Sequence, residues 1–531
     1  MRTRGAAYVR PEQYEAKALS SRSSGEGFAT ANFVRTERKR TIVAALVAAA
    51  LLVTGFIVVV VVEQTPASQA QRGAAVGVLA AAVERTEGFP GQATLRGSGK
   101  DVKHVLMHTA AQSSFVDDKT KVALPWHEVQ VEGCNRVFGN GFVPLFNACN
   151  SRLVCWQNPL AVAATVCRLR DLHVDNRRIT VTPGNEPIET VRWRNESAEM
   201  CVYEAGAFSL EQCDSDPLSL ASEDKFPFHF LDVMMHLNTT TPETSACRET
   251  VTTPTLLVTR YEYANFYHTI TDWYNVYQTI HMNELEEVNI VFLDGHSASA
   301  FGDEWPKLFR TTPRYVSSLA PETCFKEAYL VAPGYGSSLS HPTMQRWIEC
   351  PPSPYLKEFI QHIMASIGLQ HMLNDKQVIP PRKRPRVLFL LRKIYLAHPR
   401  IKRLSRTLAN GKEVVETLQR DLPDVDVVPI SLETMSFAQQ VAVVREADVL
   451  LGVHGAGLSH LLFMRPGAMV IELIPDEYEP FHHYDSFATF MGIRHLRVLV
   501  PFDIPDEGIT MDPQQLVDVL RKERLQPVNK A

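Results

Sequence analysis

The sequence predicts an α/β protein of two Rossmann-like lobes with a cleft between them. Strand-like apolar segments begin near Val387, Val425, Val449 and Val470, and helical patterns separate the first three, as in a doubly wound parallel sheet. Further upstream, a strand pattern precedes a long amphipathic helix, which indicates a second sheet. The chain has 531 residues, more than one ordinary domain, so two lobes with accessory segments are expected.

The first 124 residues are predicted to form a membrane anchor and a spacer. Residues 41–62 carry no charge and are numerous enough to span a bilayer. A cleaved signal peptide is disfavoured because the run is longer than a usual signal-peptide core and begins only after 40 residues. The basic cluster before it predicts a cytosolic tail at 1–40 and a type II, single-pass topology with a lumenal remainder. Residues 63–124, rich in Ala, Gly, Gln and Ser, are expected to form a stem.

All nine cysteines lie beyond the predicted anchor, where an oxidising lumen makes disulfides the default. The sequence has no Cys-x-x-Cys pair, which disfavours a zinc cluster, and the odd total leaves at least one thiol free or bonded between chains. The pairing stays open from sequence. Asn195 and Asn238 each begin an Asn-x-Ser/Thr triplet, so both are candidate N-glycosylation sites of a lumenal protein.

The N-terminal lobe, residues 125–375, contains the first candidate catalytic residues. A strand is predicted at 256–259 and a helix at 264–282, from an apolar run followed by an apolar stripe at helical spacing. Within that helix, His268 and Asp272 are four residues apart, so they lie on one polar face. This face is a candidate catalytic surface, and a hydrogen-bonded His–Asp pair that only steadies the helix is the alternative.

A third candidate catalytic residue, His296, follows a strand-like segment at 288–293. Polar residues at the carboxyl end of a strand are where α/β folds place their chemistry. The polar, proline-rich stretch near residues 370–386 then marks the boundary between the lobes, and the C-terminal lobe is assigned to residues 376–531. A terminal helix is predicted at 512–523.

The C-terminal lobe carries the motif around which the chain is organised, His454-Gly-Ala-Gly457. A buried strand is predicted before it and a helix after it. Glycines let a ligand approach the backbone and the first helix amides are unpaired, so an anion fits this turn, although such turns are also common as simple packing devices. The candidate binding residues at this edge are Arg392, Arg406, Asn410, His454, Gly455, Ala456, Gly457 and Glu472.

Four blocks of the sequence resemble glycosyltransferase family 61. They are residues 261–274, residues 294–296 with the later 305–309, residues 332–336, and the turn at 454–457 together with Arg392, Lys393, residues 406–410 and Glu472. Within the family they are most similar to the branch of plant-type N-glycan core β-1,2-xylosyltransferases. The resemblance covers roughly residues 256–473 and is patchy outside. It implies the two-lobed GT-B fold, with the acceptor on the N-terminal lobe and a nucleotide sugar on the C-terminal lobe.

The resemblance also implies an activity. The expected enzyme is a Golgi membrane protein that transfers xylose from UDP-xylose, with inversion, to the core β-mannose of N-glycans during protein N-glycosylation. UDP-N-acetylglucosamine as donor, a polysaccharide acceptor, and an inactive lumenal glycan-binding protein are the alternatives. The general base is expected to be Asp272, with His268 beside it and His296 as a further candidate.

No metal cofactor is expected. The two Asp-x-Asp triplets, at 214–216 and 424–426, do not follow a strand, so arginines and helix-end amides are expected to hold the diphosphate. A cluster of acidic residues and histidines at 476–485 is interpreted as a surface loop. The net charge of −5 gives no reason to expect a nucleic-acid partner, and serine-hydrolase and dinucleotide-binding glycine motifs are missing from the sequence.

Overall fold

The computed structural model describes residues 133–161, 164–210, 228–238, 247–346, 350–351, 353–373, 383–392, 406–501, 508–523 and 525. All of them belong to one compact unit, Ala110–Ala531. The predicted tail (1–40), membrane helix (41–62) and stem (63–124) lie outside the described residues. Within the described ranges, no helix is long and apolar enough to cross a membrane.

The N-terminal lobe is built on a ten-stranded mixed sheet whose main path runs β1-β2-β3-β12-β9-β10-β11. Its strands, together with the separate β4–β5 pair, are β1 (Val143–Ala148), β2 (Leu153–Gln157), β3 (Thr165–Val174), β4 (Ile179–Thr180), β5 (Val202–Tyr203), β6 (Phe208–Leu210), β7 (Leu237–Asn238), β8 (Glu249–Val251), β9 (Thr255–Val258), β10 (Asn289–Phe292), β11 (Arg314–Tyr315) and β12 (Thr323–Leu330). Strands β8 to β12 pair in parallel, as predicted. Strands β1, β2 and β3 are antiparallel, so the lobe is only partly Rossmann-like, because the short links between them allow no crossover helix.

The α-helices cover the two sheets and line the space between them. They are α1 (Phe228–Met235), α2 (Phe266–Met282), α3 (Glu304–Phe309), α4 (His341–Arg346), α5 (Pro354–Ser366), α6 (Gly411–Asp421), α7 (Phe437–Arg445), α8 (His483–Met491) and α9 (Pro513–Lys522). Helices α2, α6, α7 and α9 confirm the predicted helices to within a few residues. A capping box begins α7, with Ser436 and Gln439 bonded to each other's backbone amides.

The C-terminal lobe contains a five-stranded, fully parallel sheet in the order β14-β13-β15-β16-β17. Its strands are β13 (Arg386–Leu390), β14 (Asp426–Ile430), β15 (Val449–Val453), β16 (Met469–Pro475) and β17 (Arg494–Val500). The first four confirm the predicted doubly wound sheet, whereas β17 and α8 were not predicted. Helices α6 and α9 pack together against this sheet through Val414, Leu418, Leu516 and Leu520.

Disulfides tie the N-terminal lobe together, as the lumenal cysteine pattern predicted. The pairs are Cys134–Cys350, Cys155–Cys167 and Cys247–Cys324. Cys149 is also disulfide-bonded, and Cys201 carries the free thiol among the described cysteines. The Cys155–Cys167 bond joins paired residues of β2 and β3, so it fastens the antiparallel edge of the sheet.

An aromatic seam joins the two lobes along helix α2. Phe266 at the start of this helix contacts Phe437 and His460 of the C-terminal lobe at ring-centroid distances of 5.4 and 4.2 Å. The neighbouring Tyr267 packs against His483 at 5.1 Å. Because these rings are buried, α2 is held in a fixed position relative to the β15–β16 edge of the second sheet.

Candidate active site

The strand order of the C-terminal sheet identifies where a ligand can bind. The chain leaves β13 for β14 on one side and returns to β15 on the other, so the order reverses between β13 and β15. In doubly wound folds, ligands bind at the carboxyl ends of the strands at such a switch point. Arg392 follows β13 and His454 and Gly455 follow β15, so three predicted donor-binding residues meet at this point.

Gly455 and Arg392 are in contact at the switch point. Gly455 has φ of +153°, a conformation that favours glycine, and a Cβ at this position would lie 3.0 Å from Arg392 Nη1. Tyr484 fixes the turn by donating its hydroxyl to the Gly455 carbonyl at 2.6 Å. The motif therefore places the Arg392 guanidinium against the backbone of Gly455, a residue without a side chain.

The segment after Gly455 is a 3₁₀ helix, Ala456–Phe463. Its first hydrogen bond runs from Leu458 N to the Gly455 carbonyl, so the amides of Ala456 and Gly457 have no acceptor within the helix. The predicted strand, turn and helix are confirmed, although the helix is of the tighter 3₁₀ type. A Cβ on Gly457 would meet only Leu390 Cδ1 at 3.6 Å, so this glycine is less constrained than Gly455.

His454 is buried and oriented by a carboxylate. Its Nδ1 hydrogen-bonds Glu472 Oε1, and in the described part of the chain its Nε2 has no hydrogen-bond partner. Burial lowers the pKa of His454, against the opposite effect of Glu472. The imidazole is therefore neutral near pH 7, donates from Nδ1 and presents Nε2 as an unpaired nitrogen.

Glu472 lies in the middle of β16 and is 1% exposed. Its second oxygen lies 3.1 Å from His495 Nε2, on β17, and 3.8 Å from Arg497 Nε. Burial tends to raise the pKa of Glu472, but the contacts with His454 and His495 outweigh burial and lower it to about 2. Both carboxylate oxygens are thus used by histidines, and the structure places Glu472 behind His454.

Arg406 has two features that are typical of a binding residue. Its backbone is in the left-handed region at φ of 59°, and its guanidinium carbon lies 4.6 Å from the centre of the Tyr478 ring. Its Nε is buried without a hydrogen-bond partner within the described residues. Arg406 also lowers the pKa of His454 after the larger effect of burial, which places its charge close to that imidazole.

Asn410 is engaged elsewhere. Its side-chain amide donates to the Met511 carbonyl at 2.8 Å and accepts from the Met511 amide at 3.1 Å. Asn410 and Glu413 have the spacing of a capping box but do not form one, because the Asn410 side chain makes no cap hydrogen bond to the helix backbone. Asn410 connects the start of α6 to the segment before α9.

The polar face of α2 contains His268 in a cluster of polar side chains. His268 Nε2 lies 3.3 Å from Glu262 Oε2 and 3.4 Å from the Tyr335 hydroxyl. Tyr335 donates to Glu262 Oε1 at 3.1 Å, and Asn265 donates to Glu262 Oε2 at 2.9 Å. Glu262 and Tyr335 were not predicted as site residues, although both lie in the blocks that carry the family resemblance.

Asp272 lies one helical turn beyond His268 and is 3% exposed. Its Oδ1 accepts the Gly334 amide at 2.7 Å, and burial raises its pKa well above the ordinary value. Asn275, on the same helix, donates to the carbonyls of Ala332 and Pro333. These contacts fix the 3₁₀ turn Gly334–Gly336, so Asp272 positions the turn that carries Tyr335.

His296 is part of a buried network beneath the site. Its Nδ1 contacts Glu199 Oε2 at 2.8 Å and its Nε2 contacts the Arg260 carbonyl at 2.9 Å. Arg260 also pairs with Asp294. Burial tends to raise the pKa of Asp294, but the contacts with Arg260 and His296 together outweigh burial and lower it. Both ring nitrogens of His296 are therefore occupied, and the side chain is 1% exposed.

Two further histidines connect the cluster around His268 to the His454 motif. His341 lies 6.3 Å from His483 between ring centroids, and His483 lies 5.3 Å from His454. Burial lowers the pKa of His341 to about 4, and that of His483 well below its ordinary value. Residues 476–485 were expected to form a surface loop, and for His483 this expectation is wrong. His483 begins helix α8 and is 7% exposed, because its ring packs between Tyr267 and His454.

The remaining predicted positions lie away from this row. Asn195 is exposed and caps a short 3₁₀ helix, whereas Asn238 is half-buried in β7. Asp426 opens β14 and pairs with Arg386 at 2.9 Å, and residues 214–216 lie outside the described residues. Across the described ranges, His, Cys, Asp and Glu side chains form no group of three or more arranged to hold a metal ion.

Comparison with known proteins gives a family and several relatives. The model of the family Glycosyltransferase 61 matches residues 229–471. A beta-1,2-xylosyltransferase, RCN11, of Oryza sativa subsp. japonica is 30% identical over 407 residues, which are 68% of this chain and 74% of the relative. A beta-1,2-xylosyltransferase of Arabidopsis thaliana is 26% identical over 445 residues, covering 70% and 83% of the two chains.

A second kind of relative is also similar. An EGF domain-specific O-linked N-acetylglucosamine transferase of Gallus gallus is 27% identical over 341 residues, which are 62% of this chain and 58% of that protein. The family match spans α2, the Tyr335 turn, the switch point and the His454 motif. The similarity covers two thirds of the chain and includes both lobes and the motif at the switch point. The chain therefore belongs to glycosyltransferase family 61.

Proposed function

We propose that this protein is a Golgi β-1,2-xylosyltransferase that transfers xylose from UDP-xylose, with inversion, to the core β-mannose of N-glycans. The observation that carries the proposal is the convergence of Arg392, Gly455 and His454 at the switch point of a family 61 sheet. The type II membrane anchor and lumenal catalytic region belong to the same proposal and rest on the sequence of residues 1–62.

Donor binding follows from the charges at the switch point. During transfer, the bond between the anomeric carbon and the diphosphate breaks, so negative charge develops on the leaving oxygen. Arg392 and Arg406 supply guanidinium groups, and the amides of Ala456 and Gly457 have no acceptor within their helix and can donate to an anion. These groups support the proposal that the diphosphate is stabilised without a metal ion.

The choice of xylose rests on the relatives. The two relatives named as xylosyltransferases are matched over 74% and 83% of their own length, against 58% for the N-acetylglucosamine transferase of Gallus gallus. The wider match favours xylose as the donor sugar and an N-glycan as the acceptor. Transfer of N-acetylglucosamine is the second candidate, because the Gallus gallus relative of that name is 27% identical over 62% of this chain.

A donor screen tests the proposal. The purified full chain is incubated with a biantennary N-glycan and a panel of UDP-sugars, with and without EDTA, and the product mass is measured. One added pentose from UDP-xylose alone, undiminished by EDTA and in β configuration by NMR, is the expected result. Consumption of UDP-N-acetylglucosamine instead contradicts the donor assignment, and loss of transfer in EDTA contradicts the metal-free site.

A matched pair of variants separates the site from general damage. Arg392→Ala removes the guanidinium beside Gly455 and is expected to lower UDP affinity by about tenfold to a hundredfold. Arg384→Ala removes an exposed arginine two residues before β13 and is expected to leave UDP affinity unchanged. Equal losses in both variants would show that Arg392 contributes only net positive charge.

A further inference from the structure

The cluster of Glu262, His268 and Tyr335 has the geometry of an oriented acid–base group. Glu262 is held on both oxygens, by the Tyr335 hydroxyl at 3.1 Å and by the Asn265 amide at 2.9 Å. His268 directs Nε2 toward this carboxylate at 3.3 Å and is 14% exposed. In the described part of the chain, no residue hydrogen-bonds its other nitrogen, Nδ1. The imidazole is therefore oriented from one side and open at the other.

The other two residues predicted as catalytic are fully engaged. Asp272 Oδ1 accepts the Gly334 amide and the side chain is 3% exposed. His296 uses both ring nitrogens in contacts to Glu199 and the Arg260 carbonyl. Of the three predicted residues, His268 alone combines partial exposure with a ring nitrogen that the described residues do not use.

We infer that His268 is the general base of the transfer and that Glu262 is the carboxylate that positions it. This inference rests on the proposed function and assigns a role within it. The acceptor hydroxyl oxygen attacks the anomeric carbon, its proton passes to His268 Nδ1, and the bond from that carbon to the diphosphate breaks. The electron pair of the broken bond leaves with UDP, and the imidazolium is balanced by the Glu262 carboxylate.

The position of His268 suits a displacement with inversion. The base and the leaving group must lie on opposite sides of the anomeric carbon. Tyr267, next to His268, packs on His483 at 5.1 Å, and His483 lies 5.3 Å from His454 at the diphosphate motif. The base therefore lies on the acceptor lobe, and the row of rings connects it to the donor motif on the other lobe.

A kcat/KM profile against pH tests the inference. The groups that face His268 are Glu262 from the preceding loop, Tyr335 from the 3₁₀ turn and His341 from α4. In Glu262→Gln a neutral amide replaces the anion that stabilises the imidazolium. We expect kcat to fall about a hundredfold and the acidic limb of the profile to move to lower pH.

Three further variants make the result specific. His268→Gln is expected to lower kcat at least as much as Glu262→Gln and to remove the acidic limb, with UDP affinity unchanged in both. Tyr335→Phe removes only the hydroxyl that holds Glu262 and is expected to lower kcat several-fold, which keeps the test usable if Glu262→Gln does not fold. Glu286→Gln, at an exposed glutamate beyond the end of α2, is the matched control and is expected to behave as wild type.

The possible outcomes separate the inference from the proposed function. If the wild type transfers sugar but Glu262→Gln keeps the wild-type limb, Glu262 has a structural role and the inference is overturned. Wild-type kcat in His268→Gln overturns it as well. If the wild type uses none of the UDP-sugars, the proposed function fails and the inference fails with it.

Discussion

The buried ion pairs of His495 give a quantitative prediction about stability. His495 Nε2 lies 3.1 Å from Glu472 Oε2, its Nδ1 contacts Asp485, and the side chain is 5% exposed. Burial opposes protonation of His495, but the two carboxylates outweigh it and raise its pKa to about 9, from 6.5. Since one pH unit corresponds to 1.36 kcal/mol, this shift is linked to about 3 kcal/mol of stability.

The sign of the pH effect follows from the direction of the shift. A group with a raised pKa in the folded state stabilises the protein fully below its unfolded pKa, and this contribution disappears as the pH rises through the folded pKa. The free energy of unfolding should therefore fall between about pH 6.5 and 9, by up to about 1.4 kcal/mol per pH unit. His495→Gln cannot titrate, so it should be less stable than wild type at pH 6 and converge with it above pH 9.

Urea unfolding of the purified protein at several pH values between 6 and 9.5 measures this difference. His371→Gln, which changes an exposed histidine of the N-terminal lobe, is the control and should follow the wild type at every pH. The m-value should not change, because the same surface is exposed on unfolding. A stability difference between His495→Gln and wild type that stays constant across this pH range would refute the ionic contact.

Three further predictions concern the donor motif and the disulfides. Gly455→Ala should weaken UDP binding about tenfold in calorimetry, because alanine is strained at a φ of +153° and its Cβ would contact Arg392. An effect no larger than that of Gly457→Ala would contradict this prediction. UDP affinity should rise as the pH falls from 8 to 6, by up to about tenfold per pH unit. The reason is that the diphosphate binds the protonated form of His454, and burial lowers the pKa of this histidine in the free protein. His454→Asn should lose this pH dependence. Removing the Cys134–Cys350 bond, which spans 216 residues, should destabilise the protein by about 5 kcal/mol, and removing Cys155–Cys167, which spans 12, by about 3 kcal/mol. The longer loop costs the unfolded chain more entropy when it is closed. Equal losses in thermal unfolding would contradict this argument.

The C-terminal sheet shows which strands a sequence pattern can reveal. Strands β13 and β15 are buried on both faces, so they are continuous apolar runs and were predicted. Strand β17 was missed because Arg494, His495 and Arg497 interrupt its apolar pattern. His495 pairs with Glu472 and Arg497 pairs with Asp485. Because these partners lie outside the strand, no local pattern could identify it.

Helix α2 shows a similar limit for the site. Helical spacing correctly placed His268 and Asp272 on one face, but it carries no information about depth. One turn of helix separates a side chain that is 14% exposed from one that is 3% exposed. Depth depends on the 3₁₀ turn Gly334–Gly336, which covers Asp272 and brings Tyr335 to Glu262 from more than sixty residues away. The polar partners of His268 therefore became visible only in the folded chain.

The carboxylate that orients His454, and the residues that hold this carboxylate, lie beyond the part of the chain that the family model matches. From Asp485 through His495 and Glu472 to His454, acidic groups alternate with imidazoles. Asp485 and Glu472 hold His495 as a cation. That cation helps to keep Glu472 ionised, so the carboxylate can accept a hydrogen bond from His454 Nδ1. The unpaired Nε2 can then take up a proton when a diphosphate arrives. All three supporting residues follow residue 471, where the family match ends, so proteins that share the His454 motif can still differ in the pH dependence of donor binding.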